Sequence, residues 1–572
     1  MGRTVGIGLQ DYESIRKERV FYVDKTDFIR EWWESGDSVT LLTRPRRFGK
    51  TLTMSMMEQF FSLKYAGRAD LFEGLAIWEH EKYRLLQGTY PVISLTFANV
   101  KEKDYRTTIQ RIGQLLADLY NINAFLLEGD YLTEEEKLSY RSIMRSAVTL
   151  DIPEVIATMA VHKLSDYLYR YYGKKVIILL DEYDTPMQES YVDGYWGDLA
   201  SFIRSLFNAS FKTNPYLERA IMTGITRVSR ESVFSDLNNL KVITTTSDEY
   251  AECFGFTPEE VNAALSEYGL AERIHEVKNW YDGFTFGHKK EIYNPWSIIN
   301  FLDTGKVGPY WANTSSNNLV GKLIREGSRD IKISFERLLQ GESLVAEIDE
   351  QIVYDELDID ERAIWSLLLA SGYLKVKGYR VVTSKFGEWR PEYELSLTNF
   401  EVRIMFRNMV HSWFGRSASD YNGFIKALLQ DDLEAMNAYM NRIALETFSY
   451  FDTGKGAEKQ ADPERFYHGF VLGLMVDLTD RYIITSNRES GFGRYDVMLR
   501  PRSKEDDAVI LEFKVRSTGK EPGLEDTAQR ALDQIGEKGY AKGLIAEGVP
   551  AERIRKYGFA FEGKNVLIKK GR

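Results

Sequence analysis

Residues 41–54 read LLTRPRRFGKTLTM, between the apolar run Ser38–Leu42 and a second apolar, helix-like run, LTMSMMEQFFSL. Strand, turn and helix in that order is the setting in which a Gly-Lys-Thr tripeptide binds phosphate. Main-chain N–H groups at the helix start face the anion, Lys50 neutralises the β and γ charges, and Thr51 offers its hydroxyl to Mg2+. Arg47 and Phe48 complete the binding loop with Gly49, Lys50 and Thr51. The usual G-x-x-x-x-G-K-[ST] pattern has a first glycine five residues before Gly49, and there the chain has Arg44. Pro45 then fixes φ where glycine would have flexed. Arg46 and Arg47 add positive charge beside the phosphates, or pair with groups at the sheet edge.

Outward from this loop, KKVIILLDEYD (174–184) carries five apolar residues and then Asp181-Glu182. A buried strand delivering a carboxylate to the sheet edge is what an Mg2+-nucleotide site requires, with Asp181 on the metal's water shell and Glu182 polarising the attacking water. Taken alone, an acidic pair after a strand reads equally well as a helix N-cap. A third stretch, ERAIMTGITRVSRESVF (218–234), puts Thr223 and Thr226 at a strand end, followed by Arg227 and Arg230. A hydroxyl there would sense the γ-phosphate, and Arg227 would supply transition-state charge in cis or across a homo-oligomer boundary. A loop arginine paired with an acid such as Asp236 is the alternative.

Short β-branched runs at Val39–Thr43, Pro91–Phe97, Lys175–Asp181, Arg219–Thr226 and Lys241–Thr246 alternate with helical spacing over 103–172, the α/β signature. Thr257-Pro258 followed by two glutamates starts a helix. NWYDGFTFG and YNPWSIINFL then read as aromatic-rich helices and turns. Within 331–450 the pattern is mostly helical, and RAIWSLLLASGYLKVKGYRVV…WRPEYELSL reads as helix, glycine turn and hairpin, either winged-helix-like or a spacer with a β flap. A polar stretch at 452–463 precedes a compact α/β unit. That unit has a helix at Pro463–Thr479, strands at Arg481–Ser486, Arg494–Arg500 and Ala508–Val515, a helix at Leu524–Glu537, and strands at Gly543–Glu547, Phe559–Phe561 and Asn565–Lys569. The expected boundaries are 1–253, 254–330, 331–455 and 456–572.

In the last unit Asp496, Glu512 and Lys514 make the spacing D…E-x-K, and strand alternation puts Glu512 and Lys514 on one face. Two carboxylates can hold Mg2+ or Mn2+, and the lysine can orient or deprotonate a water that attacks a phosphodiester. A cross-strand salt bridge is the structural alternative, but the pair follows four apolar residues and charges there need a reason. Glu464 and His468 lie at i and i+4 upstream. Glu464 would complete the metal shell, and His468 would touch phosphate or pack. Gln534 and Tyr540 are candidate nucleic-acid contacts or surface residues.

FYVDKTDFI (21–29), LLTRPRRFGKTLTMSMM (41–57), YPVISLTF (90–97), VIILLDEYD (176–184), FGFTPEEV (254–261) and WYDGF (280–284) resemble the bacterial AAA-ATPase-like family that is joined to a nuclease-type domain. There the RPRRFGK[ST] form is usual. The resemblance implies an additional-strand P-loop NTPase sheet with a helical subdomain, and ATP as nucleotide. ERFYHGFVLGL…SNRESGFGRYDVML…AVILEFKV…ALDQIGEKGYA, over about 460–572, resembles the PD-(D/E)XK nuclease superfamily. It implies a restriction-endonuclease-like α/β domain with Asp496, Glu512 and Lys514 as motif residues, and Tyr495 in place of the proline.

At 572 residues, 44% hydrophobic and 13% aromatic, the chain can bury several cores. Nothing approaches the ~18 apolar residues of a membrane span, and the first residues lack a secretory apolar block. One cysteine, Cys253, excludes an intramolecular disulfide and fits a reducing cytoplasm. Six scattered histidines exclude the usual zinc spacings. The net charge of −11 argues against a nucleic-acid-binding coat, though not against a local groove. Arg494, Arg500, Lys514, Arg516, Lys520 and the basic stretch 551–572 are its candidates. The expectation is an ATPase coupled to a metal-dependent nuclease acting on DNA. The alternative is an ATP switch whose nuclease-like domain is an adaptor.

Overall fold

A computed structural model describes residues 2–571 except 227–232, 235, 313–317, 327–328, 350–360, 384–388, 413–417, 452–472, 474–477, 487–488, 491–492, 495, 518–520 and 563–564. The chain divides into two compact units, Met1–Leu319 with Ser343–Val402, and Val320–Glu342 with Arg403–Arg572. No described helix is long and apolar enough to cross a membrane.

In the first unit, β1 (Val39–Thr43), β2 (Val92–Thr96), β3 (Val176–Asp181), β4 (Leu217–Gly224) and β5 (Leu240–Ile243) form a parallel sheet. Its order is β2-β3-β4-β1-β5, so β4 separates the strand carrying the loop from the strand carrying the acids. β1 and β3 are buried along their whole length. Burial on both faces is why each reads as an unbroken apolar run. Helices Tyr105–Ile122, Glu134–Thr149 and Glu154–Tyr172 account for the helical spacing between β2 and β3. Trp32, Leu42, Met57, Phe60, Leu179 and Ile221 pack in the core around the sheet.

Beyond the sheet, helix Pro258–Glu267 starts where the sequence places it, in a capping box between Thr257 and Glu260. The stretch read as helices and turns differs. After helix Ile274–Tyr281 it pairs as a hairpin, β6 (Asp282–Phe286) with β7 (Lys289–Tyr293). Gly283 permits this, because its φ is 138° and a side chain there would collide with the Thr398 carbonyl. Helix Glu361–Ala370 and Gly372 lead into a long antiparallel pair, β9 (Leu374–Thr383) and β10 (Trp389–Leu397). A short strand, β8 (Leu344–Ala346), adds to β10. Just after β10, the buried Glu401 carboxylate accepts hydrogen bonds from Ser297 Oγ (2.8 Å) and the N–H groups of Trp311 (2.6 Å) and Ala312 (3.4 Å).

The second unit is built on a mixed sheet of order β11-β14-β15-β16-β17: Tyr482–Ser486, Val497–Pro501, Ala508–Val515, Ile554–Glu562 and Asn565–Lys570. β12 (Glu489–Ser490) and β13 (Gly493–Arg494) make a small separate hairpin. Only β15 and β16 run parallel, connected through helix Leu524–Glu537, which packs on β15, β16 and β17. Two expectations change here. β14 starts at Val497, so Asp496 stands just ahead of the strand. Gly543–Glu547 is not a strand but lies in and after helix Ala541–Ala546, which buries Leu544 while leaving Ile545 exposed. A run of three apolar residues, Leu544–Ala546, suits either structure. The expected helix Pro463–Thr479 falls almost entirely outside the described residues.

Both sheet edges are closed by side chains far away in sequence. On β17, Asn437 exchanges two hydrogen bonds with Ile568 (3.0 and 2.8 Å), and Asn441 does the same with Val566 (2.7 and 2.9 Å). One turn apart on helix Leu433–Phe451, the two amides satisfy the strand as a neighbouring backbone would. On β11, Gln340 donates to the Ile484 carbonyl (2.7 Å), and Ser486 Oγ donates to Glu336 (2.6 Å). Exposed edges invite pairing with other chains, and these amides occupy them.

Asn437→Ala or Asn441→Ala should each lower the stability of the second unit by about 1–3 kcal/mol, since each strips a donor and an acceptor of their partners. Urea unfolding measures this, and parent-like curves would contradict it. Burial pushes the Glu401 carboxyl up to about 7 from its ordinary 4.5. The folded state therefore holds this proton more tightly. The stability it contributes is complete below about pH 4.5 and falls as pH rises through about 7, by at most ~1.4 kcal/mol per pH unit. Glu401→Gln should lose less stability than the parent between those limits; identical pH dependence in the two proteins would refute this assignment.

Candidate nucleotide and phosphodiester sites

β1 ends at Thr43, and helix Lys50–Phe61 begins with Gly49 as its N-cap at φ 83°. Nothing lies within 4 Å of where a Gly49 Cβ would be, so backbone conformation and not space selects glycine. Arg47 is also left-handed, φ 64°. Position 44 has no such requirement, which removes the conformational reason for a glycine there.

Arg44 has the opposite character to the glycine it replaces. Its side chain is 0% exposed. Nη1 donates to the carbonyls of Thr43 (3.0 Å) and Thr244 (2.5 Å), and Nη2 donates to that of Glu249 (3.2 Å). The guanidinium carbon lies 4.6 Å from the centre of the Phe286 ring and 6.0 Å from that of Phe254. Burial holds its pKa down to about 10. Arg44, and not Arg46 or Arg47, thus partners the sheet edge, tying the end of β1 to the chain beyond β5.

The other loop residues face the hairpin and its flanks. Phe48 packs edge-on against Phe284 (4.8 Å) and Phe286 (5.3 Å). Arg47 lies over Trp296 at 4.3 Å. The Arg46 carbonyl accepts from Trp311 Nε1 (3.0 Å) and Asn294 Nδ2 (3.3 Å). Pro45 leaves no room for a side chain at Gly372, whose Cβ would come within 2.8 Å of it.

Lys50 is buried, its Nζ 2.9 Å from the carbonyls of both Arg44 and Pro45. Burial lowers its pKa, opposed by the charges of Glu182, Asp181 and Asp184. Thr51 Oγ1 donates to Asp181 Oδ2 at 2.7 Å, and Thr223 Oγ1 donates to Asp181 Oδ1. The Asp181 carboxyl is raised by burial. Glu182 adjoins it with φ 51°, and its main-chain N–H donates to Thr223 Oγ1 at 3.3 Å. The structure therefore gathers Lys50, Thr51, Asp181, Glu182 and Thr223. A hydroxyl and a carboxylate already in contact suit Mg2+, which Thr51 and Asp181 would hold. Arg227 and Arg230 lie outside the described residues. Asp184, Asn294 and Trp311 were not singled out as site residues from sequence. Asp184 had a signal, as the third residue after Asp181 in an acid-rich strand end.

In the second unit, Asp496 Oδ2 accepts from Phe513 N at 2.7 Å, which fixes it against the strand bearing Glu512 and Lys514. Glu512 is 1% exposed. Its Oε1 accepts from Lys514 Nζ (3.1 Å) and from the Gln534 amide, which also reaches Tyr540 Oη at 3.1 Å. Gln534 and Tyr540 thus brace Glu512. Between Glu512 and Lys514, Phe513 points to the other face and stacks with Phe559 (4.7 Å) and Phe561 (5.8 Å). Burial and the Asp496 charge push the Glu512 carboxyl up to about 7.

Glu512 Oε2 is buried with no hydrogen-bond partner. An orphaned carboxylate oxygen beside a second carboxylate fits a hard divalent cation. Glu464, Tyr495 and His468 lie outside the described residues, among which no cluster of three or more acidic, His or Cys side chains is arranged for a metal. Of the candidate groove cations, Arg500 pairs with Glu547 (3.0 Å), and Arg516 pairs with Glu562 (2.5 Å). Lys520 and the Arg494 side chain are not described.

Residues 6–234 match the family model described as predicted AAA-ATPase, and residues 462–571 match that of the PD-(D/E)XK nuclease superfamily. Over 561 residues the chain is 25% identical to an uncharacterised protein of the vnfD 5′ region of Azotobacter chroococcum mcd 1, across 95% of this chain and 94% of that protein. The loop, its acid strand and the D…E-x-K strand pair fall within those two matches, and the chain accordingly joins an AAA-ATPase-like domain to a PD-(D/E)XK nuclease superfamily domain.

Proposed function

We propose that the protein binds and hydrolyses ATP in its first unit and uses that cycle to gate Mg2+-dependent cleavage of DNA in its second. The observation that carries this reading is the Glu512 carboxylate, buried, braced by Lys514 and Gln534, and left with one oxygen unpartnered. A buried carboxylate oxygen without a donor, beside a second carboxylate, is a place a cation can fill.

In the nucleotide site, Gly49 and the first helical N–H groups receive the phosphates, and Lys50 exchanges its two loop carbonyls for them. Arg47 and Phe48 shape the loop, and Arg46, Arg47 and Arg227 are the sources of transition-state charge, Arg227 in cis or from a second copy of the chain. Thr51 and Asp181 hold Mg2+, and Glu182 orients the attacking water. In the phosphodiester site, Asp496 and Glu512, with Glu464, hold Mg2+ or Mn2+, which supplies charge stabilisation at the phosphate. Lys514 takes up or directs the water proton. A cytoplasmic setting suits the buried lone thiol of Cys253.

A second reading, an ATP-dependent switch whose nuclease-like domain is an adaptor, draws on the ion pairs that neutralise Arg500 and Arg516. Plasmid and single-strand cleavage, with and without ATP and Mg2+, separates the two. The parent should cleave with Mg2+ and stop on chelation. Glu512→Ala should lose at least ~100-fold of the rate, and Lys50→Ala should lose the nucleotide dependence. No cleavage by the parent favours the adaptor, and full-rate, ATP-responsive cleavage by Lys50→Ala refutes gating.

A further inference from the structure

Four consecutive residues, Asp181-Glu182-Tyr183-Asp184, bind four others, Thr223-Gly224-Ile225-Thr226. Asp181 and the Glu182 N–H take the Thr223 hydroxyl. Tyr183 donates its N–H to the Thr223 carbonyl (2.9 Å) and its hydroxyl to the Thr226 carbonyl (2.7 Å). Asp184 Oδ2 accepts from Ile225 N (2.9 Å), Thr226 N (2.9 Å), Thr226 Oγ1 (3.0 Å) and Gln188 Nε2 (3.1 Å). Asp181, Tyr183, Asp184, Thr223 and Thr226 are buried, and Glu182, Gln188 and Ile225 are half-buried. Gly224 is enclosed by it, since a Cβ would stand 2.7 Å from the Tyr183 ring and 2.8 Å from Asp184 Oδ1. The Gly224 carbonyl in turn accepts from Arg44 N at 3.2 Å, at the root of the phosphate loop.

Asp181 and Glu182 are the acids assigned to the nucleotide; Tyr183 and Asp184 spend their hydrogen bonds on the 223–226 segment. A carboxylate gathering four donors on one oxygen in a buried place fixes the main chain it grips. We propose that Tyr183 and Asp184 are positioning residues of the nucleotide site: by clamping Gly224–Thr226 they hold the Thr223 hydroxyl on Asp181, and steady the loop root at Arg44, before nucleotide arrives. The proposal rests on the reading of this site as one for Mg2+ and ATP. Neither residue touches the reacting atoms. They act on the geometry of Thr223, Asp181 and the loop, where displacements of about 1 Å cost about 100-fold in rate.

The test uses the full chain and its Asp184→Ala, Asp184→Asn and Tyr183→Phe variants. Without nucleotide, amide hydrogen exchange at Ile225 and Thr226 should be at least ~10-fold faster in Asp184→Ala. ATP affinity without Mg2+ should be unchanged. The affinity gained on adding Mg2+ should fall at least ~10-fold, KM for Mg2+-ATP rising with it, and the kcat of hydrolysis should fall at least ~10-fold. Asp184→Asn should restore most of this, because a single amide oxygen can receive the donors that converge on Oδ2. Tyr183→Phe should lie between. Parent-like exchange in Asp184→Ala overturns the clamp whatever the nucleotide does. Asp184→Asn behaving like Asp184→Ala overturns positioning in favour of charge. If Asp184→Ala fails to fold, Tyr183→Phe with undiminished Mg2+ gain overturns the proposal. A parent that binds no ATP defeats the nucleotide reading instead, and the exchange comparison still decides the clamp.

Discussion

The guanidinium of Arg44 lies in the interior of the first unit among main-chain carbonyls and aromatic faces, with no ion pair among the described residues. Taking a cation out of water costs several kcal/mol unless its hydrogen bonds are replaced. Three carbonyls and the face of Phe286 replace those of Nη1 and Nη2, leaving Nε without a hydrogen-bond partner, and Arg suits this because its planar fork spreads donors over several acceptors while its charge is weakly hydrated. The carbonyls belong to the end of β1, the residue after β5, and the loop at 249. Satisfying Arg44 therefore joins them. The carbonyl of the same residue receives Lys50. The side chain of Arg44 thus joins these segments while its backbone carbonyl accepts from Lys50 Nζ.

The two candidate sites share an electrostatic logic on unrelated sheets. Each places a lysine against carboxylates in a buried position: Lys50 with Asp181, Glu182 and Asp184, and Lys514 with Glu512. Burial drives the carboxyls of Asp181 and Glu512 upward, storing in each an affinity for positive charge. In the first site hydroxyls from Thr51 and Thr223 occupy the carboxylate oxygens. In the second, one oxygen has nothing. A divalent cation would offset the buried carboxylate charge in both, held between Thr51 and Asp181 in one and filling a gap in the other.

Much of this was legible in the sequence for definite reasons. β1, β3 and β15 are buried, so their composition alone announces them, and Gly49-Lys50-Thr51, Asp181 and the Glu512–Lys514 alternation sit at their ends or along them. The role of Arg44 was not legible, because its partners at 244 and 249 are brought to it only by the pairing of β5 with β1. Asp184 was passed over because a motif reading stops at the acid pair, although its carboxylate grips a segment some 40 residues on. The β6–β7 hairpin was hidden by a short aromatic run that suits helix or strand. The asparagines that close β17 lie more than 120 residues from their partners, and amides on a helix face look like any solvated surface.

On the proposed reading, the buried Arg44 guanidinium is what holds this loop ready for nucleotide. This is tested most directly by restoring the glycine that other phosphate loops have. Titration calorimetry of Mg2+-ATP into the folded Arg44→Gly variant should show affinity at least ~10-fold, or about 1.4 kcal/mol, weaker than the parent's, because the anchor beneath Lys50 is gone. Affinity equal to the parent's, or better, would mean that the buried guanidinium is incidental to the loop.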